Sequence, residues 1–181
     1  VYQSNILCRE CDNEQIGQYE SYLKSIFFGG PTAKDEIPVF RNLINKKSEE
    51  FTECTNLSYS KFKLGLLSIL WRSAIAKRDF FDEIVLSEND LESIRTMLIS
   101  NDPGEIGKYP VVIFTYVNDS VIPKDLIVKP RSFNHTKGSG FVFLIGGFFF
   151  LFYINHSFTD EELSKYTITK DCKMLFIWIK K

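Results

Sequence analysis

The sequence lacks the motifs that mark several large enzyme classes. It contains no G-x-S-x-G, no P-loop and no G-x-G-x-x-G, and the Gly138-Ser139-Gly140 run has no helix after it to cradle a phosphate. Internal repeats and low-complexity segments are absent as well. The net charge is -1 and the pI is near 6.2, so the chain has no overall positive field for nucleic acid. Any contact with nucleic acid must therefore be local.

Long apolar runs are also missing. The longest, from Phe141 to Ile154, is broken by Gly146 and Gly147, and it is shorter than the roughly 20 residues that a membrane-spanning helix needs. We therefore expect no membrane partner and assign this run to a protein core.

Cysteine is scarce, with four residues at uneven spacing. Small secreted domains stapled by disulfides carry a denser framework than this one. The pattern indicates a reducing compartment, and we predict a cytoplasmic protein. The four cysteines are Cys8, Cys11, Cys54 and Cys172.

One stretch, residues 58–77, is apolar on nearly every helical face and predicts a buried central helix. Ser58 is a suitable N-cap, and the stretch contains no proline. Two more helices are predicted at residues 12–28 and 87–100, and a capping box at Thr159 predicts a short helix that ends near Tyr166.

From residue 110 onward, β-branched and aromatic residues dominate the sequence. They predict five strands joined largely by hairpins, and hence a mostly antiparallel sheet over about residues 110–180. The predicted class is α+β, with the helical N-terminal half packed on the sheet. The strands are predicted at residues 111–117, 126–133, 140–145, 148–155 and 174–179.

Between the first and central helices, Thr32 to Thr55 is mixed and polar. We expect loop with short helical pieces there. We divide the chain into residues 1–30, a finger-like motif with the first helix, and residues 31–181, a helix-plus-sheet body that shares one core with that helix.

Cys8-Arg9-Glu10-Cys11 is the one motif with a chemical signature. Two thiolates at this spacing can bind one tetrahedral zinc ion, which then needs two further ligands. Alternatives remain open: the pair can be small buried thiols, or a redox C-x-x-C, which would require a parallel βαβ setting. The spacing alone leaves these three interpretations open.

The run from Asn5 to Asn13, followed by a helix with Gly17, Tyr19 and Glu20, resembles the closing half of the treble-clef zinc finger in HNH-endonuclease-like proteins. That family ends its motif in N-x-x-L-C-x-x-C-N/H. Three further segments are similar to the body of a group of uncharacterised bacterial proteins with an HNH-like front: Tyr19 to Gly30, Phe62 to Arg72 and Phe143 to Gly147.

The resemblance implies that Cys8 and Cys11 form the second pair of a structural zinc site, with Asp12 or Asn13 where the family places its C-terminal metal ligand. The family's first C-x-x-C and its catalytic histidine lie upstream of this motif, and its nuclease activity uses a divalent ion on the scissile phosphate. The chain begins at Val1 inside the motif, so we expect a longer native protein. The 181 residues alone are expected not to cut DNA, and we assign them no catalytic residue.

A second candidate site is a basic, aromatic-bearing loop that can contact a phosphate backbone. The alternative is a solvated hairpin edge whose lysines discourage strand pairing. The predicted nucleic-acid residues are Lys124, Lys129, Arg131 and Lys137.

The strand at residues 148–155 is apolar on both faces, which is typical of a central strand covered on each side or of a sheet closed by a partner subunit. We favour the central strand, and a homo-oligomer stays an alternative. For function, the sequence predicts the C-terminal body of an HNH-like zinc-finger protein that binds or cleaves DNA. The other hypothesis is a non-catalytic interaction or regulatory module whose C-x-x-C pair is structural.

Overall fold

The computed structural model of the chain describes residues 14, 16–30, 37–45, 50–116, 123 and 125–179. These residues form an α+β fold, as the sequence predicts. A short 3-10 helix, Asp79–Phe81, follows the second α-helix. The α-helices are α1 (Gly17–Phe28), α2 (Tyr59–Ile75), α3 (Glu88–Ser100) and α4 (Asp160–Tyr166), and the strands are β1 (Val39–Ile44), β2 (Glu50–Thr55), β3 (Val111–Thr115), β4 (Ile127–His135), β5 (Gly138–Ile145), β6 (Phe148–His156) and β7 (Met174–Trp178).

The strands form one mixed sheet in the order β1-β2-β7-β3-β6-β5-β4. Only β3 and β7 run parallel, because the chain passes through α4 and returns to insert β7 beside β3; every other neighbouring pair is antiparallel. The mostly antiparallel sheet is thus confirmed, and within the described residues it has seven strands rather than about five.

The two additional strands lie where we expected loop with short helical pieces, so the prediction for Thr32 to Thr55 was wrong over residues 39–44 and 50–55. β1 and β2 pair antiparallel from Val39 opposite Thr55 to Ile44 opposite Glu50. β2 alternates, with Thr52 and Cys54 buried. In β1 all six residues are exposed, so pairing with β2 rather than burial makes it a strand.

Caps explain where three of the helices begin. The Ser58 hydroxyl accepts a hydrogen bond from the Lys61 amide, the Ser87 hydroxyl accepts one from Asp90, and Thr159 forms a capping box with Glu162. The predicted start of the first helix, at Asp12, lies outside the described residues. α2 is the longest helix in the described part of the chain, and no helix there is long and apolar enough to cross a membrane.

Three helices cover one face of the sheet, here called the helix face. α2 is buried along most of its length, and α1 packs on it where Gly65 leaves room for Leu23. Phe27 of α1 contacts the rings of Phe148 and Phe150 at centroid distances of 4.8 and 5.3 Å. Side chains of α1 thus share one core with the sheet, while the proposed division of the chain near residue 30 stays a prediction.

The opposite face, here called the open face, is covered differently. Every second residue of each strand points toward this face. Among the described helices, only α4 lies on that side. β6 lies between β3 and β5, so it has the central position that we expected, but the cover that we expected on both of its faces is incomplete on the open face. Its open-face residues Phe149 and Leu151 stay half-buried, whereas Tyr153 is buried. The open face is therefore where the fold leaves apolar surface for other contacts.

Candidate functional site

The zinc half-site predicted from the sequence lies outside the described residues. Cys8 and Cys11 belong to that undescribed part, as do Asp12, Asn13 and the basic residue Lys124. Among the described residues, no group of three or more His, Cys, Asp or Glu side chains is arranged to hold a metal ion. That finding does not bear on a site that uses Cys8 and Cys11, so zinc binding stays a prediction.

Two of the predicted nucleic-acid residues lie on β4, each beside a carboxylate. Lys129 Nζ is 2.8 Å from an Asp82 carboxylate oxygen, and Arg131 forms an ion pair with Glu83. The hydrogen bond from Lys129 holds the pKa of Asp82 below its usual value. Glu83 also has a lowered pKa, first because it accepts the Ser132 amide and then because it accepts Arg131. The loop after the 3-10 helix thus neutralises both cations.

Lys137, the third of the predicted nucleic-acid residues that the structure describes, lies in the β4–β5 turn. Its Nζ is 2.6 Å from Glu162 of α4, and this hydrogen bond is the first cause of the lowered pKa of Glu162. Lys137 therefore lies in the turn, apart from the pair on β4, and each of the three cations has a carboxylate partner. Contact of these residues with nucleic acid stays a prediction.

The open face carries a row of apolar side chains that crosses all seven strands. The strand register places one such residue opposite the next from β1 to β4, and none of them is fully buried. Such a continuous apolar surface is uncommon on a monomer and is typical of an interaction site. The apolar row is formed by Leu43, Phe51, Ile177, Phe114, Phe149, Leu144 and Val128.

A groove opens in the middle of this row, with a volume of about 350 Å³. That volume falls within the range of small-molecule sites. Strands β2, β7, β3 and β6 supply its floor, and the segment that leads into and through α4 supplies a wall. The aromatic groove is lined by Phe51, Val112, Phe114, Tyr153, Phe158, Tyr166, Ile177 and Trp178.

A buried tyrosine is fixed between the groove and the β4–β5 turn. The Lys137 amide donates to His135 Nδ1 at 3.0 Å, so His135 Nε2 carries the proton and donates to the Tyr153 hydroxyl, also at 3.0 Å. The Tyr153 ring contacts Phe133 and Phe158 at centroid distances of 5.0 and 4.8 Å. Burial raises the pKa of Tyr153. The groove therefore presents a rigid, neutral, aromatic surface.

One buried polar group on the open face has no hydrogen-bond partner among the described residues. The Tyr116 hydroxyl has no hydrogen-bond partner within the described part of the chain, although the residue is only 4% exposed. Its ring contacts Phe149 of the apolar row at a centroid distance of 5.6 Å. A buried hydroxyl without a partner costs the fold about 1–3 kcal/mol.

On the helix face, Lys63 is a buried cation that the sequence analysis did not single out. It is 3% exposed, and its Nζ donates to the Glu105 carbonyl at 2.6 Å and to the Tyr59 hydroxyl at 3.2 Å. Burial lowers its pKa to about 8, and the nearby Glu105 carboxylate partly offsets this shift. A cavity of about 10 Å³ lies beside it, room for one water molecule. Lys63 holds the loop after α3 against α2.

The apolar character of both faces of β6 could be predicted from the sequence, whereas the groove could not. The residues that line the groove come from four strands and from the segment around α4. Because β2 was not predicted to be a strand, the pairing that places Phe51 beside Ile177 could not be predicted either. The detectable signal was the aromatic character of both faces of residues 148–153.

Comparisons with protein-family models, with curated proteins and with solved structures each found no match to this chain. The resemblance to HNH-endonuclease-like proteins accordingly stays a prediction from the sequence, and the groove carries the functional argument.

Proposed function

We propose that the described body is a non-catalytic protein-interaction module. Its open face binds the apolar side of an amphipathic helix from a partner protein. The observation that carries this proposal is the apolar row with the aromatic groove at its centre. The lining supplies shape and apolar contact area, which give binding energy through the removal of apolar surface from water.

A helix is the favoured occupant because of how the two faces of the sheet differ. The helix face is covered by α1, α2 and α3, whereas α4, a helix of only seven residues, lies on the open face. A partner helix beside α4 would complete the second layer, and stable folds bury both apolar faces of a sheet.

The test uses the neutral fluorophore N-phenyl-1-naphthylamine, an apolar probe of a size suited to the groove. We expect saturable binding to the full chain, with the increase in fluorescence that accompanies transfer to an apolar site. Ile177→Asn places an amide in the groove floor between Phe51 and Phe114, and it is expected to weaken probe binding about tenfold.

The matched control is Leu144→Asn. Leu144 lies in the same apolar row and is likewise half-buried, but it does not line the groove. It should leave the affinity for the probe unchanged. If the two variants weaken binding equally, or if the wild-type chain shows no saturable binding, the groove is not a ligand site and the proposal fails.

We also propose, on the resemblance of Asn5 to Asn13, that this module belongs to a longer cytoplasmic HNH-like zinc-finger protein that binds or cleaves DNA. In it Cys8 and Cys11 would be two ligands of a structural zinc ion, and any nuclease activity would reside upstream with its divalent metal. The module would then recruit or regulate a partner of that protein.

Native mass spectrometry of the longest expressible protein tests this second proposal. We expect one zinc ion per chain, lost in Cys8→Ser and in Cys11→Ser and retained in the control Cys172→Ser, since Cys172 is far from the motif in sequence and forms no disulfide. A protein without zinc that folds normally would contradict the zinc-finger assignment and leave the interaction module unaffected.

A further inference from the structure

We propose that β1 is a homodimerisation edge, at which two copies of this chain pair their β1 strands antiparallel around a two-fold axis at Asn42. β1 is the last strand of the sheet and, within the described residues, pairs with β2 alone. Its outer backbone groups can therefore accept another strand. All six of its residues are exposed, including Val39 at 58% and Ile44 at 70%.

The other edge of the same sheet is protected against such pairing. β4 contains Pro130, and its register shifts between Val128 and Arg131. The Ser132 amide is occupied by a Glu83 carboxylate oxygen at 3.1 Å. Proline, a bulge and charged side chains are the devices that keep edge strands from associating. β1, with the sequence VFRNLI, contains no proline and no bulge, and Arg41 is its one charged residue.

The sequence of β1 is self-complementary when Asn42 faces its own copy. Phe40 then lies opposite Ile44 of the second copy, and Ile44 opposite Phe40, on the helix face. On the open face Arg41 lies opposite Leu43. This pairing joins apolar side chains in two symmetric places and puts no like charges opposite each other, so a second copy fits the edge better than an arbitrary strand.

Several alternative registers are less favourable for physical reasons. Centring the axis on Arg41 places the two guanidinium groups opposite each other, which is destabilising. Centring it on Phe40 brings Pro38 opposite Asn42 and removes a backbone donor from the ladder. A register that shifts the pairing by one residue would put helix-face side chains opposite open-face ones.

The position of β1 is fixed by the strands behind it. Trp178 Nε1 donates to the Thr52 hydroxyl at 2.8 Å, and the Thr52 hydroxyl donates to Asn42 Oδ1 at 2.9 Å. This chain of hydrogen bonds runs from β7 through β2 to β1. An interface of two six-residue strands belongs to the small size class, so we expect a dimer that dissociates on dilution.

Sedimentation velocity of the full chain from about 1 μM to about 1 mM measures this association. We expect a monomer–dimer equilibrium that Ile44→Lys weakens about tenfold, since each dimer loses two Phe40–Ile44 pairs. The matched control is Val85→Lys. Val85 is 75% exposed and lies in the loop before α3, so the same change there should leave the equilibrium unaltered.

Cross-linking tests the register itself. In Asn42→Cys the two new side chains face each other with Cβ atoms about 5 Å apart, close enough for a disulfide after a small shift. In Ile44→Cys they lie about 13 Å apart along the strands and cannot link. We expect oxidised glutathione to link Asn42→Cys dimers through residue 42, identified by mass spectrometry of the joined peptides.

Three results would overturn the proposal: a wild-type chain that stays monomeric throughout, a dimer that Ile44→Lys leaves intact, or linkage through residue 44 in preference to residue 42. Because the groove probe binds to the open face, its titration reports on the interaction module separately from this dimer.

Discussion

The buried Lys63 makes the stability of this fold depend on pH in an unusual direction. Burial lowers its pKa from 10.5 to about 8, so the unfolded chain keeps the lysine proton to a higher pH than the folded chain does. The contribution of Lys63 to the free energy of unfolding therefore rises with pH between about 8 and 10.5, and it is lowest below pH 8. At about 1.4 kcal/mol per pKa unit, the protonated side chain costs the fold about 3 kcal/mol.

The substitution Lys63→Met isolates this effect. Methionine preserves much of the side-chain volume but removes the charge, and the lost bond to the Glu105 carbonyl adds a penalty that does not vary with pH. From pH 7 to pH 9, the unfolding free energy of the wild type should then rise by about 1 kcal/mol relative to that of Lys63→Met.

Urea denaturation at four pH values, followed by circular dichroism, measures this difference. Burial also raises the pKa of Cys54 to about 12, so ionisation of that thiol in the unfolded chain lowers stability above about pH 9. Cys54 is present in both proteins, and its contribution cancels. Lys24→Met, at an exposed position on α1, is the control for the loss of a lysine side chain. A flat difference for Lys63→Met would refute the account of Lys63.

Two further predictions follow from packing and charge. Gly65→Ala should destabilise the fold by about 1–2 kcal/mol despite a helix-propensity gain of about 1 kcal/mol, because the added Cβ would lie 2.8 Å from Leu23 Cγ; a gain in stability on urea denaturation would contradict this. If β4 contacts DNA, Asp82→Asn with Glu83→Gln should strengthen binding to duplex DNA in fluorescence anisotropy, since both changes release paired cations. Unchanged binding would indicate that Lys129 and Arg131 serve the fold.

Much of the fold could be predicted because its signals are local. The central helix has a capping serine and a run of apolar residues, and the hairpin at Gly146-Gly147 lies between two strands of marked β propensity. These features depend on the residues of one segment and its nearest neighbours in sequence. The prediction of α2 from residue 58 to 77 accordingly differs from the observed Tyr59–Ile75 only at its ends.

β1 could not be predicted because nothing in its own sequence distinguishes it from a loop. Val39, Phe40, Leu43 and Ile44 do not alternate with polar residues, and the strand forms through its partner β2. The aromatic groove shares this difficulty, since Phe51 and Ile177 become neighbours only when β7 inserts between β2 and β3. Strand order is a property of the whole sheet and is not encoded by local periodicity.

The binding site itself can be located by methyl NMR of the chain with labelled isoleucines, titrated with N-phenyl-1-naphthylamine. Ile177 lies in the aromatic groove, Ile113 is buried on the helix face, and Ile44 lies on the exposed edge. We predict that the Ile177 methyl signal shifts progressively to saturation, while the signals of Ile113 and Ile44 stay in place. Saturable shifts at Ile44 with none at Ile177 would contradict the proposal that the open face is the interaction site.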